Sequence, residues 1–301
     1  MISIRHLAIE HHSSLILEVV AYAKLWIMKK ILLAFDGSNF SKGAFEFARR
    51  LNEVEPLLVT GVFMPQVDYA NLWSYATATA GAGYVPLVEE ESANTVQDNI
   101  LRFEELCREN GMAYRVHKDF YSFALPELKT ESRFADVIIL SGELFYKGVI
   151  ESNQFDYLRD ALHAAESPVL IVPESYQFPE NNILAYDGST ESVYAIKQFA
   201  YIFPELAKNP TLLVNAGNGE EKDFPSKQHV VELVTQHYKD LTFYKLELEP
   251  KKYFSTWMNE RRGSILVSGS FSRSVFSQMF RKSFVRDIIK EHKIPVFIAH
   301  K

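Results

Sequence analysis

Two apolar segments that end in the same Asp-Gly-Ser sequence lie 151 residues apart in this chain, one reaching Asp36 and the other Asp187. A second pair of apolar segments ends in Ser-Gly, at Gly142 and at Gly269. Each of these glycines is followed 26 residues later by a proline that opens another apolar run. Because both pairs occur in the same order, the chain is predicted to contain one structural unit twice. The first copy holds 24 more residues, most of which we place in a loop near residues 65–88.

The length of 301 residues agrees with two copies, since it is about twice that of a common domain. We place the first domain at residues 28–175 and the second at residues 180–301, joined by a short linker. Residues 1–27 form an N-terminal extension whose apolar stretch is too short, and too interrupted by charge, to cross a membrane. Either translation begins at Met28, or the extension is a short amphipathic helix.

Each copy alternates short apolar runs with segments of helical periodicity, which is typical of βαβ units around a parallel sheet. Unbroken apolar runs indicate strands that are covered on both faces. With right-handed crossovers, the fold class is two tandem flavodoxin-like or Rossmann-like parallel-sheet domains. Pro168 and Pro295, at the start of the last strand of each copy, predict that these are edge strands. The predicted strands are 29–35, 57–63, 113–118, 136–141 and 168–173, then 182–187, 210–216, 241–248, 264–269 and 295–300.

Composition narrows the function classes. Apolar residues make up 47% of the chain and charged residues 23%, as in folded globular proteins. The net charge of −6 gives no overall field for a nucleic acid. The single cysteine, Cys107, allows neither an internal disulfide nor a cysteine-rich zinc site, so we expect a buried thiol in a cytoplasmic protein.

Sequence motifs of catalysis are missing. The chain has no Gly-x4-Gly-Lys-Ser/Thr loop, no Gly-x-Ser-x-Gly turn and no His-Glu-x2-His helix. Its nine histidines show no metal-ligand spacing. We therefore predict no catalytic residue and no metal site.

Ligands of open α/β sheets bind beyond the carboxyl ends of the strands, where the strand order reverses. Asp36 and Asp187 end the first strands of the two copies, and Gly142 and Gly269 end the fourth strands. Each carboxylate could accept hydrogen bonds from a ribose or an adenine amine, and each glycine loop could present N–H groups to phosphate. The alternative is that each aspartate only caps the following helix.

This double pattern, a strand ending in Asp-Gly-Ser and then a strand, glycine loop, helix and Pro-Val strand, resembles the universal stress protein family. The resemblance covers residues 29–301 and implies an adenine nucleotide α-hydrolase-like fold. ATP-binding members carry Gly-x2-Gly-x9-Gly followed by serine, threonine or asparagine. The equivalent positions in the second copy are Gly269, Ser272, Lys282 and Ser283, with Arg273 and Ser274 after the second position.

The first copy has a different set at the same positions, namely Gly142, Phe145, Phe155 and Asp156. Asp156 would repel a phosphate. Basic residues outnumber acidic ones by four between residues 269 and 290, whereas acidic residues lead by two between residues 142 and 163. We therefore expect ATP, with Mg²⁺, or AMP in the second domain only, and only a weak site at Asp36 and Gly142. The alternative is that the basic residues form a solvated helix face.

The resemblance implies a non-catalytic, cytoplasmic stress-response protein whose two domains pair through their last strands as an intramolecular pseudo-dimer, and it leaves a homodimer open. The extra loop near residues 65–88 would be a lid, a partner-binding loop or a plain surface insertion. Two alternatives remain: an interaction protein that binds no nucleotide, and a weak ATP-hydrolysing enzyme. The sequence does not identify the protein partners; it favours neither nucleic acid nor membrane.

Overall fold

The computed structural model describes only part of the chain. The N-terminal extension and the loop near residues 65–88 lie outside that part, as does the whole region between Gly269 and Ile294. The described residues are 28–64, 90–118, 124–145, 154–215, 224–245, 257, 260–269 and 294–299.

Ten strands lie at the predicted places among the described residues. Ten of their twenty bounds agree with the predicted ones, nine differ by a single residue, and the end of β8 differs by three. The first half, residues 28–175, contributes β1 (Lys29–Phe35), β2 (Leu57–Phe63), β3 (Ala113–Lys118), β4 (Val137–Ser141) and β5 (Val169–Val172). The second half, residues 180–301, contributes β6 (Asn181–Tyr186), β7 (Thr211–Asn215), β8 (Leu241–Lys245), β9 (Ser264–Gly269) and β10 (Val296–Ala299).

All ten strands belong to one sheet, in the order β3-β2-β1-β4-β5-β10-β9-β6-β7-β8. Every pair of neighbours within a half is parallel, and the same order, third-second-first-fourth-fifth, occurs in each half. The halves meet where β5 and β10 run antiparallel, with Leu170 opposite Phe297. The predicted fold class, a mostly parallel Rossmann-like or flavodoxin-like sheet, is confirmed.

As predicted, β5 and β10 are the edge strands of their own halves, but these two edges pair with each other and therefore form the centre of the ten-stranded sheet. Pro168 and Pro295 are tolerated there since they lie just before the paired residues, which run from Val169 to Ile171 in β5 and from Val296 onwards in β10. Each proline uses its carbonyl instead. Pro168 O accepts from Ile138 N and Pro295 O from Leu266 N. The missing N–H therefore falls outside the ladder between the two halves.

Six helices cover the sheet among the described residues: α1 (Lys42–Val54), α2 (Glu90–Glu109), α3 (Ala124–Ser132), α4 (Gln154–Ala164), α5 (Thr190–Ile202) and α6 (Lys227–His237). Successive residues of a strand point to opposite faces. In β1, Ile31, Leu33 and Phe35 join the core beneath α1, α2, α5 and α6, whereas Leu32 and Ala34 join the core beneath α3 and α4. Both cores contain residues of both halves, so the halves share their packing.

Cys107 lies on α2 and is fully buried, as expected. Burial raises the pKa of its thiol to about 12, so the group stays protonated and unreactive at neutral pH. Over the part of the chain that the structure describes, no helix is both long and apolar enough to span a bilayer.

Candidate functional site

The carboxyl edge of the second half brings together two of the predicted site residues. Asp187 directly follows β6, and Gly269 ends β9, which pairs with β6 in parallel. The chain leaves β6 towards β7 on one side and reaches β9 on the other, so the strand order reverses here. This is the place where sheets of this kind bind ligands. The other predicted residues, Ser272, Arg273, Ser274, Lys282 and Ser283, lie outside the described residues.

Asp187 is half-buried and does not cap α5. The cap is Ser189, whose hydroxyl accepts from Ser192 N at 3.1 Å. Asp187 Oδ1 in turn accepts from the N–H and the hydroxyl of Ser189, at 2.9 and 2.5 Å. The interpretation of Asp187 as a cap is therefore wrong, and its carboxylate instead orients the residue that caps.

We expect Ser189→Ala to lower the free energy of unfolding by about 1–2 kcal/mol, because the variant loses the cap of α5 and a hydroxyl donor to Asp187. Urea unfolding would measure the loss. The matched control is Ser38→Ala: Ser38 follows Asp36 as Ser189 follows Asp187, but it is exposed, and α1 is capped by Ser41. Equal losses of unfolding free energy in the two variants would contradict the assignment of Ser189 as the cap of α5.

Gly269 is required by packing. A Cβ at this position would lie 2.5 Å from the carbonyl carbon of Glu191 and 2.6 Å from Ser192 N, both backbone atoms of the first turn of α5. Real Cβ atoms do not approach backbone so closely, so any side chain would push α5 away from β9. Gly269, predicted to let the backbone approach a phosphate, is thus also needed for the close packing of β9 against α5.

A group of residues at this edge was not predicted from the sequence. Asn215, which ends β7 and is buried, donates through Nδ2 to Tyr186 O at 3.1 Å. The Tyr186 hydroxyl donates to Pro225 O at 2.6 Å, and the Tyr186 ring stacks on Phe224 with centroids 6.4 Å apart. Gly188 has φ +81°, and a Cβ there would lie 2.6 Å from Pro225 Cβ. The sequence could have indicated Asn215, because a side-chain amide directly ends the apolar run of β7. No local pattern indicates Phe224 and Pro225.

The overall geometry has a counterpart of known structure. A universal stress protein from Archaeoglobus fulgidus matches 90% of this chain over 96% of its own, with 15% sequence identity and a TM-score of 0.62. The chain has the fold of a universal stress protein. An aldolase structure from Coccidioides immitis also aligns, over 92% of this chain and 91% of that one, but its identity of 9% and TM-score of 0.17 carry no argument. No protein-family model matches the sequence, and no curated protein matches it.

The first half of this universal stress protein fold places Asp36 differently from Asp187. Asp36 is only 4% exposed, and both of its carboxylate oxygens accept from Asn39: Oδ1 from the backbone N–H at 2.7 Å and Oδ2 from Nδ2 at 2.8 Å. The cap of α1 is Ser41, five residues after Asp36. The capping interpretation is therefore wrong here as well, because Asp36 folds the longer loop that leads to the helix.

Aromatic side chains fill the edge of the first half. The Phe35 ring stacks on Phe40 and Phe63, with centroid distances of 5.1 and 4.8 Å, and meets the edge of Phe103 at 6.1 Å. All four rings are buried. They pack in the core beneath α1 and α2, where β1 and β2 end.

The loop after β4 differs from a phosphate loop. Gly142 is buried, and its N–H donates to Val172 O at 2.9 Å. Phe145, which takes the place of the family's second glycine, is 2% exposed and packs in the core beneath α3 and α4. Asp156 lies on α4, and its side chain is outside the described residues. Among the described residues of the whole chain, no group of histidine, cysteine, aspartate and glutamate has the geometry of a metal site.

Proposed function

We propose that this chain is a stress-response protein of the universal stress type that acts by binding, and that its second half takes ATP or AMP as a regulatory ligand. One observation carries the proposal. Asp187 stands half-buried beside Gly269 at the reversal of strand order, whereas its counterpart Asp36 is buried and held by Asn39.

The charge of the sequence supports the same half. The segment from residue 269 to residue 290 has a net charge of +4, which favours a polyphosphate, and its counterpart from residue 142 to residue 163 has −2. We also propose a role without catalysis, in line with the sequence-based prediction of no catalytic residue. We further propose that the antiparallel contact of β5 and β10 makes the chain an intramolecular pseudo-dimer, and that the protein works in the cytoplasm.

Calorimetric titration of the full chain with ATP and Mg²⁺ tests this proposal. We expect one nucleotide per chain. Lys282→Glu should weaken binding by about 1–3 kcal/mol, or about 5- to 150-fold, because it replaces a cation near phosphate with an anion. Lys239→Glu makes the same charge change at an exposed position after α6 and should leave the affinity unchanged. Equal affinities for the Lys282 variant and the wild type would remove Lys282 from the site.

A second candidate, an interaction protein that binds no nucleotide, is favoured by one feature of the same edge. Phe224 and Pro225 cover Tyr186 and Gly188, and packing alone explains Gly269. No heat and no thermal shift at millimolar ATP would support this candidate. Turnover of ATP that Asp187→Ala abolishes would instead indicate an enzyme.

A further inference from the structure

Four hydrogen-bond donors of the first half converge on one carboxylate, that of Glu174 in the segment after β5. Its Oε1 accepts from the hydroxyls of Ser141, at 2.7 Å, and of Ser41. Its Oε2 accepts from the backbone N–H groups of Lys42 and Gly43, at 3.1 and 3.2 Å. Two hydroxyls and two N–H groups around two oxygens form the donor set of a small anion at the start of a helix.

The hydroxyls are fixed before they meet the carboxylate. Ser41 Oγ accepts from Ala44 N at 3.0 Å as the cap of α1, and Ser141 Oγ accepts from Leu144 N at 3.0 Å. Both serines are buried, with 2% and 1% exposure. Each serine oxygen thus accepts a hydrogen bond from a backbone N–H group. Each hydroxyl donates its one proton to the Glu174 carboxylate.

The backbone is also shaped for this contact. A Cβ at Gly43 would lie 2.3 Å from Pro173 O and 2.8 Å from the Cα of Glu174, so only glycine lets α1 begin against this segment. The Tyr176 hydroxyl adds a bond to Gly43 O at 3.2 Å. The carboxylate is therefore held in place by the chain that carries it.

The second half keeps both hydroxyls but not the carboxylate. Ser189 caps α5 as Ser41 caps α1, and Ser268 precedes Gly269 as Ser141 precedes Gly142. Counted from these two glycines, the sequence aligns Glu174 with Lys301. The Ser189 hydroxyl donates to Asp187, and that of Ser268 to Gly269 O at 3.1 Å. An acid in one half thus stands where the sequence of the other half has a base.

We propose that the Glu174 carboxylate is a built-in ligand: it occupies the anion cradle formed by Ser41, Lys42, Gly43 and Ser141 and thereby closes the edge of the first half to external anions. This inference rests on the proposed function only for the ligand that is excluded, the phosphate of a nucleotide. The cradle and its occupant are defined by the contacts themselves.

Anion rescue of Glu174→Ala tests the proposal without any nucleotide. The variant empties the cradle, so we expect its Tm to fall by about 5 °C, and sodium formate to restore at least half of that loss in a saturable way. Sodium chloride at the same ionic strength should not restore the Tm. Wild type and Glu205→Ala, which removes an exposed carboxylate paired with Lys208, should show no specific response to formate. An equal response of Glu174→Ala and wild type would overturn the proposal.

Glu174→Gln provides a second arm if the alanine variant does not fold. The amide fills the cradle but removes the charge, so the Tm should fall and formate should not restore it. The amide proton resonances of Lys42 and Gly43 should move upfield, because a neutral acceptor makes longer and weaker hydrogen bonds than a charged one. Unchanged resonances would overturn the proposal. Failure of ATP to bind the wild-type chain would leave both results unaffected, so the two proposals fail separately.

Discussion

Truncation of Phe103 to alanine should lower the free energy of unfolding by about 3–5 kcal/mol, the largest loss we expect from a single side chain of this protein. Phe103 is fully buried on the face of α2 that packs on the sheet. Its ring lies 6.0–6.2 Å from those of Phe35, Phe45, Phe63 and Tyr114 in edge-on geometry. The methyl group of alanine would leave a cavity among four rings whose positions the strands and α1 fix.

The space for the Phe103 ring is made by Gly61, where a Cβ would lie 2.9 Å from Phe103 Cε1. The backbone at Gly61 is rigid, so the surrounding groups cannot move in to fill the cavity. The loss of unfolding free energy should therefore lie at the upper end of the range for large-to-small changes. Urea unfolding followed by circular dichroism would measure it. The control is Phe134→Ala, since Phe134 is 65% exposed and should change stability by less than about 0.5 kcal/mol. Similar losses in both variants would contradict the packing assignment.

Gly269→Ala should cost about 3 kcal/mol, at the upper end for an inserted methyl group, because the group it meets is the backbone of α5 and no rotamer can relieve the overlap. If Gly269 served only to bring backbone close to a phosphate, the variant would keep its stability and lose affinity alone. The structure predicts that stability falls with or without nucleotide.

Thermal and urea unfolding without ligand measure this effect. Gly111→Ala is the comparison, since a Cβ there meets nothing within 4 Å and the cost comes only from the backbone, at φ +62°. That strain amounts to about 1 kcal/mol. A loss for Gly269→Ala no larger than for Gly111→Ala would show that α5 can move away from β9 at little cost.

The strands were predictable because runs such as residues 137–140 are apolar at every position and are bounded by turn residues, here Asp136 before and Ser141 and Gly142 after. The repeat likewise placed Asp187 and Gly269 at one edge, since parallel strands of one fold type end together. Pro168 and Pro295 indicated only that β5 and β10 are edge strands of their halves. The expectation that these two edges pair came from the family resemblance, because the antiparallel contact joins residues more than 120 positions apart.

The contents of the site were harder to predict than its location. The two aspartates occupy equal places in the repeat, yet the loop after Asp36 is three residues longer and moves the cap from the position of Ser38 to Ser41. The contact of Glu174 with Ser41 spans 133 residues, and no local pattern indicates it. Side-chain bonds between distant segments depend on the finished packing, which periodicity does not describe.

The central place of β10 has a consequence for synthesis of the protein. The outer edge of β5 is complete once Val172 has been made, but the strand that covers it begins at Val296. At translation rates of about 5–20 residues per second, that apolar edge waits roughly 6–25 seconds for its neighbour. During this interval the nascent chain exposes unpaired N–H and C=O groups along this edge. We expect mispairing between nascent chains on neighbouring ribosomes, or binding of a chaperone, to occur mainly there.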